Sequence, residues 1–307
     1  MTQYPTVSVL IATLGRDADP IHVVRDLLAQ TVVPDEILVV DQNNPSLPKL
    51  DEFLAAVPKV RHIKFKTSGL HLNWNRGLHL AKGEVILLVD DDVVLPKTFV
   101  EAHLKNYVSP DETGKTAKAV AGRVLQAKDP DPATIKRSGG YSRILGSVIA
   151  GFNGQRRQEA LFGQGANVSF NRAALIAAGG YDVGFTGNAY FGETDAGFRY
   201  VAAGNRMVFD PLAELKHLQT PMGGCRVSDK SMHTYWFIRN GIRLYRRHSP
   251  LIAQPLILAK LVGYVAAKAL YNRNLKILTL GLKGVADGWR QNVQLNPYDP
   301  AKDPEMK

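Results

Sequence analysis

Three consecutive carboxylates, Asp90, Asp91 and Asp92, close the run Glu84-Val85-Ile86-Leu87-Leu88-Val89, whose length and branching are those of a buried strand. Adjacent carboxylates repel one another and cannot leave water without a counter-charge. A strand ending in them therefore opens into water as a solvated acidic turn, or holds a divalent cation. Hard oxygen ligands suit Mg²⁺ or Mn²⁺, usually shared with a phosphate-bearing substrate. Two other polar clusters also end apolar runs. Thr13 to Arg16 follows Val7-Ser8-Val9-Leu10-Ile11, and Asp41 to Asn44 follows Glu36-Ile37-Leu38-Val39-Val40.

These clusters need elements to position them. Helical spacing over Ile21–Gln30, Leu50–Val57 and Leu72–Ala81 alternates with strands at 7–11, 36–40, 60–65 and 84–89. That βαβ rhythm predicts an α/β fold with a mainly parallel sheet and flanking helices. In such sheets ligands bind beyond the carboxyl ends of the strands, where all three clusters fall. Ala119–Leu125 reads as a further strand, Asp129–Gly140 as a loop, Arg172–Ala178 as a short helix, Glu193–Ala203 as another, and Met207–Phe209 as a short strand.

With 307 residues, 45% hydrophobic and 21% charged, the chain can bury a real core and is not disordered. The lone cysteine, Cys225, excludes an internal disulfide and a cysteine-based metal site, and points to a reducing compartment. The opening Met1–Pro5 is polar and Val7–Ala12 is too short for a secretory h-region, so a cytoplasmic location is expected.

Charge is uneven. Residues 1–225 carry 24 Lys+Arg against 23 Asp+Glu, whereas residues 226–307 carry 14 against 5. That excess suggests an anionic partner. Ser231–His248 is strongly helical, with Arg239, Arg243, Arg246 and Arg247 forming one stripe. Leu251–Tyr271 is apolar but interrupted by Gln254, Pro255, Lys260 and Lys268, so it reads as an interfacial helix rather than a clean membrane span. A helical pair packed on the domain is the compatible alternative. The basic stripe lacks a helix-turn-helix partner or an aromatic platform, and no nucleic-acid partner is expected.

The ordered motifs resemble family 2 glycosyltransferases over roughly residues 6–250. The resemblance rests on Val7 to Arg16, Val39-Val40-Asp41, Gly69-Leu70 with Asn75-Arg76-Gly77-Leu78, Ala81-Lys82-Gly83-Glu84, Val89-Asp90-Asp91-Asp92, Gly165 to Phe170 with Gly179-Gly180-Tyr181-Asp182, and Gly192-Glu193-Thr194-Asp195 with Arg199. It implies a GT-A-type, Rossmann-like domain over residues 1–230, with a donor half to about 110 and an acceptor half after it. Residues 231–307 would be a basic, partly apolar helical extension. The implied reaction is inverting transfer of a hexosyl or deoxyhexosyl group from a nucleotide sugar, UDP- or dTDP-type, to an acceptor hydroxyl. The acceptor would be a glycan or lipid-linked glycan of the cell envelope, and the enzyme peripheral on the inner face of the cytoplasmic membrane. A non-catalytic scaffold keeping the fold, and a nucleotidyltransferase, are the alternatives.

The resemblance also assigns roles. Asp92 is the first choice of metal ligand for Mn²⁺ or Mg²⁺. Asp90 would touch metal or ribose, Asp91 would stand behind them or in solvent, and His217 would contact metal or phosphate. Glu193 would be the general base, with Asp195 as runner-up or as the group orienting Arg199. Asp41 would accept from an imide N–H of the base, or shape the turn before Pro45. Arg16 and Arg76 would pair with the diphosphate or stack on the base. Thr13 and Asn75 belong to the donor segments, Asn167 would face a sugar or close its own loop, and Arg226 would clamp the diphosphate from the Met222–Arg226 loop. Trp74 stands where a small residue is common, and either packs or shapes the donor site.

Overall fold

A computed structural model describes residues 3–307; Met1 and Thr2, part of the polar opening, lie outside the described residues. In chain order the elements are β1 (Val7–Thr13), α1 (Ala18–Leu28), β2 (Glu36–Asp41), α2 (Pro48–Ala55), β3 (Val60–Lys64), α3 (Leu70–Leu80), β4 (Val85–Asp90), β5 (Val93–Val94), α4 (Phe99–Val108), β6 (Ala119–Leu125), β7 (Gly140–Ser142), β8 (Ser147–Ile149), β9 (Gln158–Glu159), β10 (Asn167–Asn171), α5 (Arg172–Ala177), α6 (Gly192–Ala202), β11 (Met207–His217), α7 (Lys230–His248), α8 (Gln254–Tyr271) and α9 (Leu275–Arg290).

The main sheet runs β3-β2-β1-β4-β10-β6-β11-β5, with β9 pairing β11. The strands β3, β2, β1 and β4 are parallel, as β6 and β11 are to each other, while β10 runs antiparallel between β4 and β6. Strands β1, β2 and β4 are buried on both faces, which explains their unbroken apolar runs. Their register pairs Thr13 with Asp41 and Ala12 with Asp90, so three polar ends lie side by side on one rim.

Strand β11 is much longer than the short strand expected at Met207–Phe209. Pro211 masked the continuation, because proline normally demotes a strand. A register shift between Asp210 and Glu214 absorbs it and carries the strand on to His217, which pairs with Val93 just beyond the triplet.

Helix α7 packs chiefly on α9 and α8, and its arginines tie these helices to the preceding residues. Helix α7 is built into the domain: Arg243 and Arg247 both reach the fully buried Asp182, at 2.8 and 2.6 Å. The arginine stripe is therefore largely spent internally. Arg246 also bonds the carbonyl of Trp289 in the last turn of α9, and Arg247 that of Val293 just after it. The remaining chain returns to α3, where Asp303 and Glu305 pair with Arg76 at 2.6 and 3.1 Å.

Candidate functional site

The triplet sits where β4 meets the end of β11. Asp92 is buried and gathers four donors: His217 Nε2 at 3.1 Å, the Thr220 amide at 2.8 Å, Arg226 at 3.1 Å and Arg16 at 3.3 Å. Burial opposes its ionisation, but His217 and Arg16 outweigh that and hold its carboxyl below the usual range. Asp91 is buried too, bonded to Arg16 and to the Thr13 hydroxyl at 2.7 Å; burial still pushes it up to about 6. Asp90 is half-buried and faces His217 at 3.7 Å; loss of water raises its carboxyl, against the pull of His217.

Sequence reasoning allowed the triplet water or a metal. The structure supplies a third source of counter-charge: the protein's own Arg16 and Arg226. Arg16 is accordingly a partner of Asp91 and Asp92, held further by the Met222 carbonyl at 2.8 Å, and is not free for the base. Thr13 turns its hydroxyl to Asp91. A cation still has ligands here, since oxygens of Asp90 and Asp92 and a ring nitrogen of His217 lie within 4.8 Å of one another. Two carboxylates and an imidazole suit Mn²⁺.

Four expected donor or sugar contacts are engaged elsewhere. Asp41 is fully buried, its oxygens taken by the Asn43 amide at 2.8 Å, the Asn43 side chain at 2.7 Å and His62 at 2.9 Å, so it builds the turn. Asn75 brackets the backbone of Tyr181 at 2.7 and 2.8 Å. Arg76 is buried against Phe65 and paired with the chain's C-terminal acids. Asn167 lies inside the sheet, donating to the Arg123 and Ala213 carbonyls at 2.8 Å each and meeting His103 at 2.8 Å. All four are buried, because polar side chains on buried strands and helix faces must satisfy their polar atoms internally.

One side of the rim holds a cleft of about 440 Å³ between Ala12, Leu14, Gln42, the 68–72 segment, the 183–189 loop and Gly224–Cys225. Gln42, read only as part of a turn, lines it while bonding the Gly69 amide and the Asn73 side chain, both at 2.8 Å. A larger cleft of about 900 Å³ lies along the amino-terminal half of β11, away from the triplet. Its Arg157 and Arg206 are already paired with Asp210, Asp111 and Glu159.

Glu193 opens α6. It is half-buried, accepts a 3.3 Å bond from the Gly165 amide, and its ionised form lies within reach of Asp90's charge. A wall of aromatic rings stands behind it. Trp74 packs on Tyr181 at 5.0 Å and on His71 at 5.6 Å, and a Cβ at Gly165 would strike both Trp74 and Glu193. Burial against this wall pushes the Glu193 carboxyl up to about 7. Two residues just before it, Ala189 and Phe191, have left-handed backbone angles, φ 55° and 73°. Such strain clusters at sites where a side chain must be aimed.

Asp195 has another task. It is fully buried between Arg199 at 2.9 Å, Arg247 at 2.6 Å and His248 at 2.8 Å. Burial opposes its charge, but His248 and the two arginines hold its carboxyl far below the usual range. With every oxygen engaged it cannot take a proton from a substrate. It anchors α6 to α7 and so fixes the helix that presents Glu193.

The sequence profile of Glycosyl transferase family 2 matches residues 8–158, from β1 through the triplet to β9. The chain belongs to this family. This glycosyltransferase is 27% identical over 223 residues to the glucosyl-dolichyl phosphate glucuronosyltransferase of Haloferax volcanii, a match covering 69% of this chain and 68% of that protein. Its fold is similar to the mannosyltransferase PcManGT of Pyrobaculum calidifontis, solved with GDP-Man and Mn²⁺, at a TM-score of 0.56 and 14% identity over 95% of this chain and 77% of that one. It is also similar to GalNAc-T7, solved with UDP, GalNAc and Mn²⁺, at a TM-score of 0.58 and 14% identity over 80% of this chain and 48% of that one. The glycosyltransferase thus has the GT-A fold. The family match ends before α6, so the role of Glu193 rests on geometry.

Proposed function

We propose that this glycosyltransferase moves a sugar from a nucleoside diphosphate donor to a hydroxyl of a lipid-linked or cell-envelope glycan, in one displacement that inverts the anomeric carbon. One observation carries this: a carboxylate with a raised pKa, Glu193, shares the rim with the Asp90, Asp92 and His217 group. An acceptor hydroxyl needs a base whose affinity for protons is near neutrality, and Glu193 meets that need.

Asp90, Asp92 and His217 would hold the cation. A divalent ion bound there neutralises charge on the departing diphosphate. Arg226 has 38% of its side chain exposed, which leaves it free to exchange Asp92 for a phosphate oxygen. The 440 Å³ cleft suits the nucleoside, with Gln42 in its wall. Since Asp41 is spent on its turn, a UDP or dTDP donor rests on no base contact and is the first donor to test rather than a read-out of the site.

The acceptor side favours a substrate with an apolar tail. Tyr190, three residues before Glu193, packs on Phe237 at 5.6 Å, and Phe237 packs on Tyr264 of α8 at 5.7 Å. These rings lead from the base to the apolar outer helix. The relative from Haloferax volcanii, named for a glucosyl-dolichyl phosphate, is in keeping with such an acceptor. Thermal unfolding with a panel of nucleotide sugars, with and without Mn²⁺, tests the reading. A ligand held at about 100 times its Kd stabilises the native state by about 2.7 kcal/mol. Stabilisation by one class of nucleotide sugar, larger with Mn²⁺ and lost in Asp92→Ala, is expected. No stabilisation by any would refute it.

A further inference from the structure

The β7–β8 hairpin and α8 are distant in sequence but form one surface. A Cβ at Gly146, in the hairpin turn, would strike the Ile257 side chain of α8. Lys260 bonds the Leu145 carbonyl at 3.2 Å and the Ser147 hydroxyl at 2.8 Å, and Arg143 bonds the His248 carbonyl at 3.0 Å. The hairpin is thus tied to the helix, yet its tip residues Ile144 and Leu145 remain 65% and 53% exposed. On α8 only one stripe is buried: Ile257, Leu261, Val265 and Ala269. Around it Leu251, Ile252, Leu256, Leu270 and Tyr271 stand more than half exposed. A contiguous apolar face of this kind is uncommon on a protein that meets only water.

Charge identifies what covers it. Residues 132–158 contain five Lys or Arg and no Asp or Glu, and residues 249–286 likewise contain five against none. Lys276 and Lys283 are paired with Asp229 and Asp287, which leaves Lys260, Lys268 and Arg273 without an acid partner among the described residues. Apolar side chains beside such cations match a bilayer with anionic headgroups. We propose that the tip of the β7–β8 hairpin and the outer face of α8 form a single seat for an anionic membrane surface. The hairpin inserts Ile144 and Leu145 beside the helix, while Arg143, Lys260 and Lys268 meet lipid phosphates. This rests on the membrane-associated reading of the enzyme, and on nothing about its catalysis.

The test uses the full chain and vesicles of phosphatidylcholine, alone or mixed with phosphatidylglycerol. The wild-type protein should sediment with the mixed vesicles, less so in high salt, and be released by alkaline carbonate. The pair Ile144→Asp with Leu145→Asp, and separately Ile252→Asp with Leu256→Asp, should each weaken binding at least tenfold, with unchanged melting temperature and nucleotide-sugar binding. Ile144→Trp should blue-shift on adding mixed vesicles, and this single change reports insertion even where the aspartate variants unfold. Wild-type binding that the hairpin variants retain, with no shift at Trp, overturns the hairpin's part alone. No vesicle binding by the wild type, or a concentration-dependent dimer lost in the variants instead, overturns the membrane seat and leaves the catalytic reading to its nucleotide-sugar test. Retention through carbonate would make α8 a span and also overturn it.

Discussion

Replacing Glu193 probes the chemistry most directly. Its carboxyl is pushed up to about 7 by burial against Trp74 and its neighbours. A base acts only when ionised, so activity should fall as pH drops through that value. For a pKa of about 7 the ionised fraction falls from about 90% at pH 8 to about 9% at pH 6, roughly a tenfold loss of kcat/KM. Glu193→Gln removes proton acceptance while keeping shape, and should cost about 10²–10⁴-fold in rate. The assay is release of nucleoside diphosphate from the donor found by thermal unfolding, with transfer to an acceptor or slow transfer to water. Asp91 is also raised, to about 6, so a pH limb alone would be ambiguous. The limb belonging to Glu193 must vanish in Glu193→Gln, whereas one belonging to Asp91 would persist. Trp74→Ala admits water and should move the limb down toward the ordinary glutamate value of 4.5. A wild-type rate that is flat from about pH 6 to pH 8, or a Glu193→Gln enzyme of undiminished rate, would refute the assignment.

Three further outcomes follow from the buried charges. Asp195→Asn leaves Arg199 and His248 without their acid and Arg247 with Asp182 alone, and should destabilise by about 3–5 kcal/mol, read as a lowered denaturant midpoint. Arg247→Met should destabilise too, and should also reduce kcat more than it raises KM, because α6 loses its hold on α7. Asp303 is held down to about 2 by its bond from Arg76, and Glu305 to about 2 by Thr67 and the Lys66 amide. Their folded values lie below the ordinary 3.8 and 4.5, so their stabilisation is present at neutral pH and lost as pH falls through about 4 to about 2; Asp303→Asn should flatten that part of a melting-temperature profile.

The rim was legible in the sequence because three apolar runs each ended in polar clusters, and parallel strands must align such ends. The order of motifs carried the family. Side-chain direction was not legible. Asp41, Asn75, Arg76 and Asn167 have the chemistry of ligand contacts, but only tertiary packing shows that His62, Tyr181, Asp303 and Ala213 already occupy them. The arginine stripe of α7 looked like a surface for an outside anion for the same reason. Its partners, Asp182 and Asp195, lie 52 or more residues upstream of the arginines they bind and cannot be paired with them by spacing alone. The length of β11 was hidden by Pro211, since a bulge is a property of two strands and not of one.

The bond between Arg76 and Asp303 joins residues 227 apart. The first 230 residues therefore cannot complete their own interior. Without the returning segment, Arg76 would lie buried against Phe65 with no acid to meet it. A piece of the protein cut before residue 303 would thus carry its lesion in α3, far from the cut in sequence.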